Sequence, residues 1–407
     1  MTIAQGINKI TTIKTQSVLG TAASGSGGQT LRRKTSVTDK KRATYVNDEI
    51  NSYQQSYGVN LGTASSSWAF DGLLSPLTYQ IPMACLLRKT FASGVTTASA
   101  SLTLAGTGPT YTLTRGTGSY LTDGVKIGDV VQIATGSFVN AVNLTNNFLV
   151  TGLTATVMTY ITLNGSVCVA EGPIATSTVQ VIGKKTMAAA SSQTDTLITI
   201  EEWYPDIAQS EVFPDMRISQ MDIGLPASGN ATVKIAGMGL GVRTAGTAQV
   251  LTTPTAATTT NVLTSVRGAL VVNGVQSVIV TGVTITIKAA LTAEGPIVGS
   301  NYAPDMARGV IEVSGQFTAL FADATLKALF DNETVTTLVC AMTADTTNAA
   351  NFLAFSLSQI KLTGSAPDDG PKGIVRTYPF TASINLGGSS TTANDQTIIS
   401  VQDSQAA

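Results

Sequence analysis

The chain has 407 residues, of which 24 are Lys or Arg, 25 are Asp or Glu and none is His, so its formal net charge is −1. This length suits two or three domains, and a composition rich in Thr, Ala, Val, Gly and Ser, with 12% charged and 6% aromatic residues, favours β-structure. The absence of histidine excludes a Ser-His-Asp triad, a Cys-His dyad and any metal site that needs His.

The remaining residues form no catalytic or metal-binding pattern. Glu201 and Glu202 are adjacent, so on a strand they point to opposite faces and cannot easily share one substrate. Cys85, Cys168 and Cys340 are odd in number and far apart, which predicts three small core residues rather than disulfides or a zinc site. We expect no enzyme activity, no metal and no cofactor.

No apolar run reaches the roughly 18 residues of a membrane span, and the first residues lack the apolar stretch of a signal peptide. We therefore expect a soluble protein without a membrane partner, made in a reducing compartment.

Residues 1–50 are predicted to form an arm and a first extended segment. Residues 1–30 are rich in Thr, Ser, Gly and Gln, which predicts an arm that is flexible in the isolated chain or orders on a neighbour. The first 50 residues carry a balance of +5 and the rest of the chain −6. This asymmetry favours self-association, although a solvated charge run or a non-specific nucleic-acid contact has the same composition. The candidate inter-subunit contacts are Arg32, Arg33, Lys34, Lys41 and Arg42.

Two stretches, Trp68–Phe91 and Ile311–Thr334, share a pattern of an apolar strand, a turn and a short helix. Aligned without gaps, they superpose Gly72 on Gly315. In the second stretch Asp323 offers an N-cap oxygen. Apolar residues at i, i+3 and i+4 follow it, namely Leu326, Leu329 and Phe330. The sequence therefore predicts a duplicated fold in which a helix lies flat on a sheet.

The segments after each helix also correspond, because residues 195–200 resemble 333–338 and residues 217–223 resemble 356–362. The apolar alternation changes phase at residues 219–220 and again at 358–359, which predicts a β-bulge in each strand. The alignment offset falls from 243 at the glycines to 139 at these bulges, so the first copy contains 104 additional residues. The predicted boundaries are 51–91 with 194–250 for the first copy, 92–193 for the insert, 251–260 for a linker and 261–407 for the second copy.

The insert is predicted to be a small β-barrel-like module. Alternating apolar residues and Gly-bearing turns indicate strands around 102–113, 123–133, 147–163 and 178–183. A tolerated insertion usually has its ends close together on the surface of its host, so we expect this module on the outer surface.

The second copy is predicted to begin with a hairpin around an Asn273-Gly274 turn and a strand at 282–288. Residues 291–304 form a long loop with Gly and Pro, and such loops commonly make contacts. Further strands are predicted at 352–362, 373–384 and 397–401.

A set of short blocks spans nearly the whole chain in a defined order. They are Gly28–Arg33, Tyr45–Ile50, Phe70–Tyr79, Leu86–Arg88, Asp206–Phe213, Gly224–Gly229, Asn273–Gly274, Val298–Asn301, Gly315–Ala319 and Gly370–Ile374. In order and spacing they resemble the tail tube proteins of long, non-contractile-tailed bacteriophages. The chain departs from that family at Gln54–Gly58, where members often have Arg-Gln and a following His-Gly.

This resemblance implies a fold class and an assembly. The fold is mainly β, a duplicated tail-tube β-sandwich or barrel core with one short helix per copy, plus the inserted module. Such proteins stack as rings into a hollow virion tube, in which six tube-fold units each give four strands to the lumen. The implied partners are further copies of the chain, the tape measure protein, the tail terminator and tail tip proteins, and DNA that passes without sequence-specific binding. Assembly is expected in the host cytoplasm.

Duplication then predicts three subunits per ring. Strands about 4.8 Å apart and tilted by roughly 40° give 24 strands a diameter of about 45–50 Å, which admits a duplex about 20 Å wide, whereas 48 strands would double the diameter. Lumen cations would bind phosphate and retard DNA. The lumen-facing acidic candidates are therefore Glu201, Glu202, Asp222, Glu312 and Asp369.

The alternative function is a β-rich phage or cell-surface adhesin that binds a glycan through the insert. Its candidate sugar-stacking residues are Tyr111 and Tyr120. Self-assembly without a ligand distinguishes the tube from the adhesin.

Overall fold

The computed structural model describes residues 3–50, 52–55 and 58–405. Part of the Gln54–Gly58 departure, Ser56 and Tyr57, therefore lies outside the described residues. The elements up to the first helix are β1 (Ile10–Gln16), β2 (Gly25–Ser26), β3 (Gln29–Thr30), β4 (Thr35–Val46), β5 (Val59–Leu73) and α1 (Gln80–Leu87). None of the helices formed by these residues is long and apolar enough to cross a membrane.

The middle of the chain continues with strands only, apart from a 3-10 turn at Ala141–Asn143. The strands of the insert and its borders are β6 (Ala92–Ser93), β7 (Ala100–Ala105), β8 (Thr110–Arg115), β9 (Val130–Thr135), β10 (Phe148–Leu153), β11 (Val157–Thr162), β12 (Glu171–Val181) and β13 (Lys184–Met187). The strands that complete the first copy are β14 (Leu197–Tyr204), β15 (Gln209–Leu225), β16 (Thr232–Gly239), β17 (Thr244–Gly246) and β18 (Leu251–Thr252).

The second copy follows a 3-10 turn at Ser265–Arg267. Its elements are β19 (Gly268–Val272), β20 (Val275–Gln276), β21 (Val280–Ala293), β22 (Met306–Leu320), α2 (Thr325–Asp331), β23 (Thr336–Thr343), β24 (Phe352–Leu362), β25 (Ala366–Pro367), β26 (Val375–Ala382) and β27 (Ser400–Asp403). The predicted Asn273-Gly274 turn is confirmed, since both residues have positive φ, at 51° and 74°.

The predicted duplication is confirmed by the strand order. The first copy pairs its strands as β1-β14-β15-β16-β5-β4. The second copy pairs its strands in the corresponding order, β19-β23-β24-β26-β22-β21. In each copy the helix follows the fifth strand of this order, and its apolar side packs on the same core. The mainly β fold class with one short helix per copy is therefore confirmed.

The register of the strands agrees with the sequence offsets. One row across each sheet shows it: Gly72, Val233 and Ile223 in the first copy, and Gly315, Phe380 and Leu362 in the second. Both predicted bulges are present, because the pairing of β15 with β16 shifts between Ile218 and Gln220, and that of β24 with β23 shifts after Leu357. The sequence offset at the glycines and the different offset at the bulged strands therefore place equivalent residues in the same row of each sheet.

One part of the alignment is wrong. The sequence pattern matches residues 195–200 to 333–338, which superposes Ile198 on Thr336. In the structure Ile198 lies opposite Met216, whereas the equivalent of Met216, Phe355, lies opposite Cys340. The true correspondence differs by four residues. An even shift keeps every side chain on the same face, so apolar alternation alone could not reveal it.

The expectation of a flexible arm over residues 1–30 is wrong from Ile10 onward. β1 pairs with β14 over seven residues, and the side chain of Ile13 is fully buried. β1 therefore occupies in the first copy the position that β19 occupies in the second. The segment is held further because β3 pairs with β1 and β2 pairs with β18. The polar composition concealed a strand because Thr11 and Thr12 are themselves buried, at 1% exposure each.

The insert forms the predicted barrel, closed by six strands in the order β10-β11-β8-β7-β12-β9. Residues 123–128, expected to be a strand, instead form turns that lead into β9. The barrel does not extend to residue 193, because β13 pairs with β27 and β6 in the core sheet. An apolar patch of its outer wall packs on the second copy, with Val130, Leu149 and Ile161 against Val339, Ala341 and Phe352. Cys85, Cys168 and Cys340 are buried and free, as predicted.

Candidate assembly surfaces

The two copies are joined edge to edge into one sheet. One edge of β15 pairs with β16, and the other pairs with β21 of the second copy, from Gln220 opposite Lys288 to Leu225 opposite Val283. This inner junction gives a continuous run of eight strands in the order β4-β5-β16-β15-β21-β22-β26-β24. Each copy contributes four of them.

The run of eight strands ends in two open edges. In the described part of the chain, β4 pairs with β5 alone over Thr35–Val46. At the other end, Lys361 and Leu362 of β24 pair with β26 and with no other strand of residues 3–50, 52–55 and 58–405. Unpaired strand edges present backbone N–H and C=O groups that readily pair with another chain. The two edges are therefore candidate surfaces for a second copy of this protein.

One face of this sheet is covered and the other is open. Residues such as Phe70, Ile235, Ile223 and Ile285 lie in the apolar core under the helices. The residues that alternate with them point to the opposite face, the open face, on which Lys234, Lys288 and Glu312 are exposed. Six charged residues of two neighbouring rows lie there: Asp71, Lys234, Asp222, Lys361, Lys288 and Glu312.

These six charges balance, because three are acidic and three are basic. Lys234 lies opposite Asp71 on one side and Asp222 on the other, and Lys288 lies opposite Glu312. Asp222 also accepts hydrogen bonds from the Thr286 hydroxyl at 2.7 Å and from the Gln220 amide at 2.8 and 2.9 Å. The open face is thus polar but nearly neutral, which the sequence did not reveal because the pairing register decides which charges meet.

Three of the five predicted acids remain accessible. Asp222 and Glu312 lie on the open face, and Asp369 lies in an exposed loop before β26. Glu201 and Glu202 are 0% and 2% exposed, so the expectation that they face a lumen is wrong.

Both buried glutamates instead fasten remote segments to β14. Glu201 accepts hydrogen bonds from the Ser210 hydroxyl at 2.6 Å and from the backbone N–H groups of Val250 and Leu251 at 2.7 Å. Glu202 forms an ion pair with Lys9 at 2.7 Å and accepts a hydrogen bond from Thr38 at 2.9 Å. The two side chains point to opposite faces, as predicted, but both faces are covered. The covering segments are far away in sequence, so local patterns gave no signal.

The five predicted contact cations divide into two groups. Arg32 donates to the Ser75 hydroxyl, and Arg33 donates to the carbonyl oxygens of Gly6, at 2.8 Å, and Lys9. The guanidinium groups of both arginines therefore bind oxygen atoms of the same chain. Lys34, Lys41 and Arg42 are exposed at the start and on the outer part of β4, the strand with the open edge.

The inner junction also contains a cluster of ion pairs that sequence patterns did not reveal. The guanidinium of Arg217 binds both carboxylate oxygens of Asp195, at 3.0 and 2.6 Å, and Asp305 of the second copy at 3.0 Å. Arg308 lies 3.4 Å from Asp195, and Arg88 donates to the Gly309 carbonyl at 2.8 Å. The hydrogen bonds from Arg217 hold the pKa of Asp195 below its usual value. The cluster thereby fastens the first copy to the second.

Two long hairpins, β4 with β5 and β21 with β22, carry exposed apolar side chains. On the first hairpin Tyr45, Val46, Val59 and Leu61 are each more than half exposed. On the second hairpin the exposed apolar residues are Ile297, Val298 and Val310. Clusters of exposed apolar side chains typically mark contact surfaces.

Comparison with known proteins identifies a family for the chain. Residues 6–382 match a family described as phage tail tube protein. No curated protein matches the sequence.

Proposed function

The chain belongs to the phage tail tube protein family, and we propose that it assembles as stacked rings into the hollow tube of a phage tail, through which the DNA genome is ejected. The observation that supports this most is the eight-stranded run with an open edge at each end. A sheet that pairs its last strand with the first strand of the next copy closes into a barrel, and a closed barrel has no exposed edges.

The proposed ring contains three chains. Each chain supplies eight strands to the run, so three chains give 24 strands and a backbone diameter of about 45–50 Å, which leaves space for a duplex about 20 Å wide. Six chains would give 48 strands and twice that diameter. Three chains with two copies each also give the ring a pseudo-sixfold symmetry.

The open face of the sheet is the proposed lumen wall. Its lysines lie beside carboxylates, as Lys234 does with Asp71 and Asp222. Because each of these lysines has carboxylates beside it, the wall has no excess of positive charge to attract phosphates, and it retains DNA poorly. The proposed lumen wall is therefore nearly balanced in charge, whereas the sequence alone predicts an acidic one.

The two exposed hairpins are the proposed contacts between successive rings, and the inserted barrel is proposed to lie outside the tube. Lys34, Lys41 and Arg42 remain proposed contacts between subunits. The tape measure protein and the tail terminator and tail tip proteins are proposed partners, with assembly in the host cytoplasm before incorporation into the virion. The role is structural, and we propose no catalysis.

The glycan-binding alternative loses its candidate residues. Tyr111 is 1% exposed and Tyr120 is 0% exposed, and both lie in the interior of the inserted barrel. A sugar ring can stack only on an accessible aromatic face, so these residues do not form a glycan site.

Negative-stain electron microscopy of the concentrated, purified chain tests the proposal. We expect hollow rings or tubes with three outer protrusions per ring in end-on averages. Six protrusions would refute the trimer, and monomers at every concentration would refute self-assembly into a tube.

A further inference from the structure

We infer that the junction between neighbouring chains repeats the junction inside each chain, so that β24 of one copy pairs antiparallel with β4 of the next and Lys361 lies opposite Thr35. The inference rests on the proposed ring and specifies its contact at the level of single residues. The open edges alone do not set a register, but the inner junction does.

The register follows from two equivalent rows of residues. The row of the first copy is Thr35, Asp71, Lys234 and Asp222. The row of the second copy is Thr286, Ser314, Thr381 and Lys361. Each residue of the first row occupies the same strand position as its counterpart in the second.

The inner junction joins these rows end to end, because Asp222 lies directly opposite Thr286. The last residue of the first row is thus paired with the first residue of the second row. Applying the same step to the end of the second row places Lys361 opposite Thr35 of the next chain. The neighbouring positions follow, with Gln359 opposite Val37, as Gln220 lies opposite Lys288 in the inner junction.

Both positions are available for this contact. Lys361 and Thr35 are exposed, and the side chain of Val37 is 59% exposed on the strand with the open edge. Two existing contacts lie at this edge: Ile360 bridges Thr336 at the end of β23, and Lys361 forms an exposed ion pair with Glu333 at 2.7 Å. Both have to give way. In the inner junction the corresponding strand β14 leaves β15 at Met216, before β21 begins to pair at Gln220.

The two kinds of junction differ in their charges. Arg217, which binds Asp195 and Asp305 across the inner junction, is replaced by Ser356 at the equivalent position of the second copy. Arg88 is likewise replaced by Asp331. The junction between chains therefore lacks the cross-bracing arginines and is the place where a ring opens first.

A cysteine pair tests the register directly. Thr35→Cys combined with Lys361→Cys in the full chain places two thiols in directly opposite positions of neighbouring copies, within the reach of a disulfide. The native thiols add little background, because burial raises the pKa of Cys85 and of Cys168 to about 11 and Cys340 is 1% exposed.

Two matched pairs control the experiment. Asp222→Cys with Thr286→Cys reproduces the same contact inside one chain, so it shows whether this geometry oxidises. Thr35→Cys with Thr363→Cys moves one thiol by two residues, to a diagonal position about 7–8 Å away, beyond the usual disulfide distance.

We expect oxidised rings or tubes of the Thr35/Lys361 variant to shift from the monomer band to linked dimers and trimers, and to no larger species, on a non-reducing denaturing gel. A reductant should reverse the shift, and the inner pair should remain a monomer. If rings are visible and the inner pair oxidises but the Thr35/Lys361 pair does not, the junction is refuted while the ring stands. Preferential linking of Thr35 with Thr363 also refutes this register. If no ring forms in any variant, the ring proposal itself fails and the junction fails with it.

Discussion

Removal of the central arginine from the inner junction should destabilise the chain more than removal of a comparable surface arginine. Arg217 has a side chain only 4% exposed, and it binds Asp195 through two hydrogen bonds and Asp305 through a third. Arg217→Met keeps much of the apolar stem but removes the guanidinium. Charge-assisted hydrogen bonds are worth about 1.5–3 kcal/mol each, and loss of one partner of a buried pair costs about 3–5 kcal/mol.

The exposure of the two carboxylates makes the expected loss of stability smaller than for a fully buried pair. The side chains of Asp195 and Asp305 are 32% and 50% exposed, so water solvates them after the substitution, and Arg308 remains 3.4 Å from Asp195. We therefore expect the free energy of unfolding to fall by about 2–4 kcal/mol, measured by urea titration. Arg243→Met is the matched control, because Arg243 pairs with Glu211 at 3.3 Å with 45% and 31% of the two side chains exposed, and such pairs contribute about 0–1 kcal/mol.

The effect should also depend on pH in a defined direction. The pKa of Asp195 is lowered chiefly by its hydrogen bonds from Arg217, so the folded chain favours the charged carboxylate. A depressed pKa contributes stability that is fully present above the unfolded pKa, near 4, and is lost as the pH falls through the folded value. The difference between wild type and Arg217→Met should thus be constant at neutral pH and shrink below about pH 4. Equal losses for Arg217→Met and Arg243→Met would refute the assigned role of the cluster.

Two further substitutions test the lumen and the first strand. Asp222→Lys changes the balanced open face to an excess of two positive charges per chain and should make tubes retain duplex DNA and slow ejection, in a manner that salt weakens; Asp222→Asn is the control, and equal DNA retention by the two variants would contradict a lumen position. Ile13→Ala should lower the free energy of unfolding by about 2–4 kcal/mol because Ile13 is fully buried in β1, whereas Ile7→Ala, at a side chain 86% exposed, should change it little; similar values for both would mean that the N-terminal segment does not belong to the folded core.

The features predicted from sequence are those that local patterns encode. The strand-turn-helix units, the Asn273-Gly274 turn and both bulges depend on residues within a few positions of one another. The burial of Glu201 and Glu202 depends on Lys9 and on Val250 and Leu251, which approach only in the folded chain. The same holds for Arg217 and Asp305.

The pairing register of the strands is harder to predict from the sequence than the strands themselves. A shift of four residues in β14 preserves the apolar alternation and therefore leaves no trace in the sequence pattern, whereas a bulge breaks the alternation and can be placed to within two residues. Charge matching on the open face depends on register as well, so a count of acids in the sequence could not foresee that Lys234 lies between Asp71 and Asp222.

Duplication within one chain has a consequence for assembly. A ring built from six single copies needs five association steps, each of which costs about 4–15 kcal/mol in lost translational and rotational freedom. In a ring of three duplicated chains, the covalent link and the Arg217 cluster already form half of the six junctions during folding, so only two association steps remain. The linked copies also hold their edges at a high effective concentration. The junction between chains can therefore be weaker than the inner one, in agreement with the absence of counterparts of Arg217 and Arg88 there. The ring still closes because each added chain positions two tube-fold units at once.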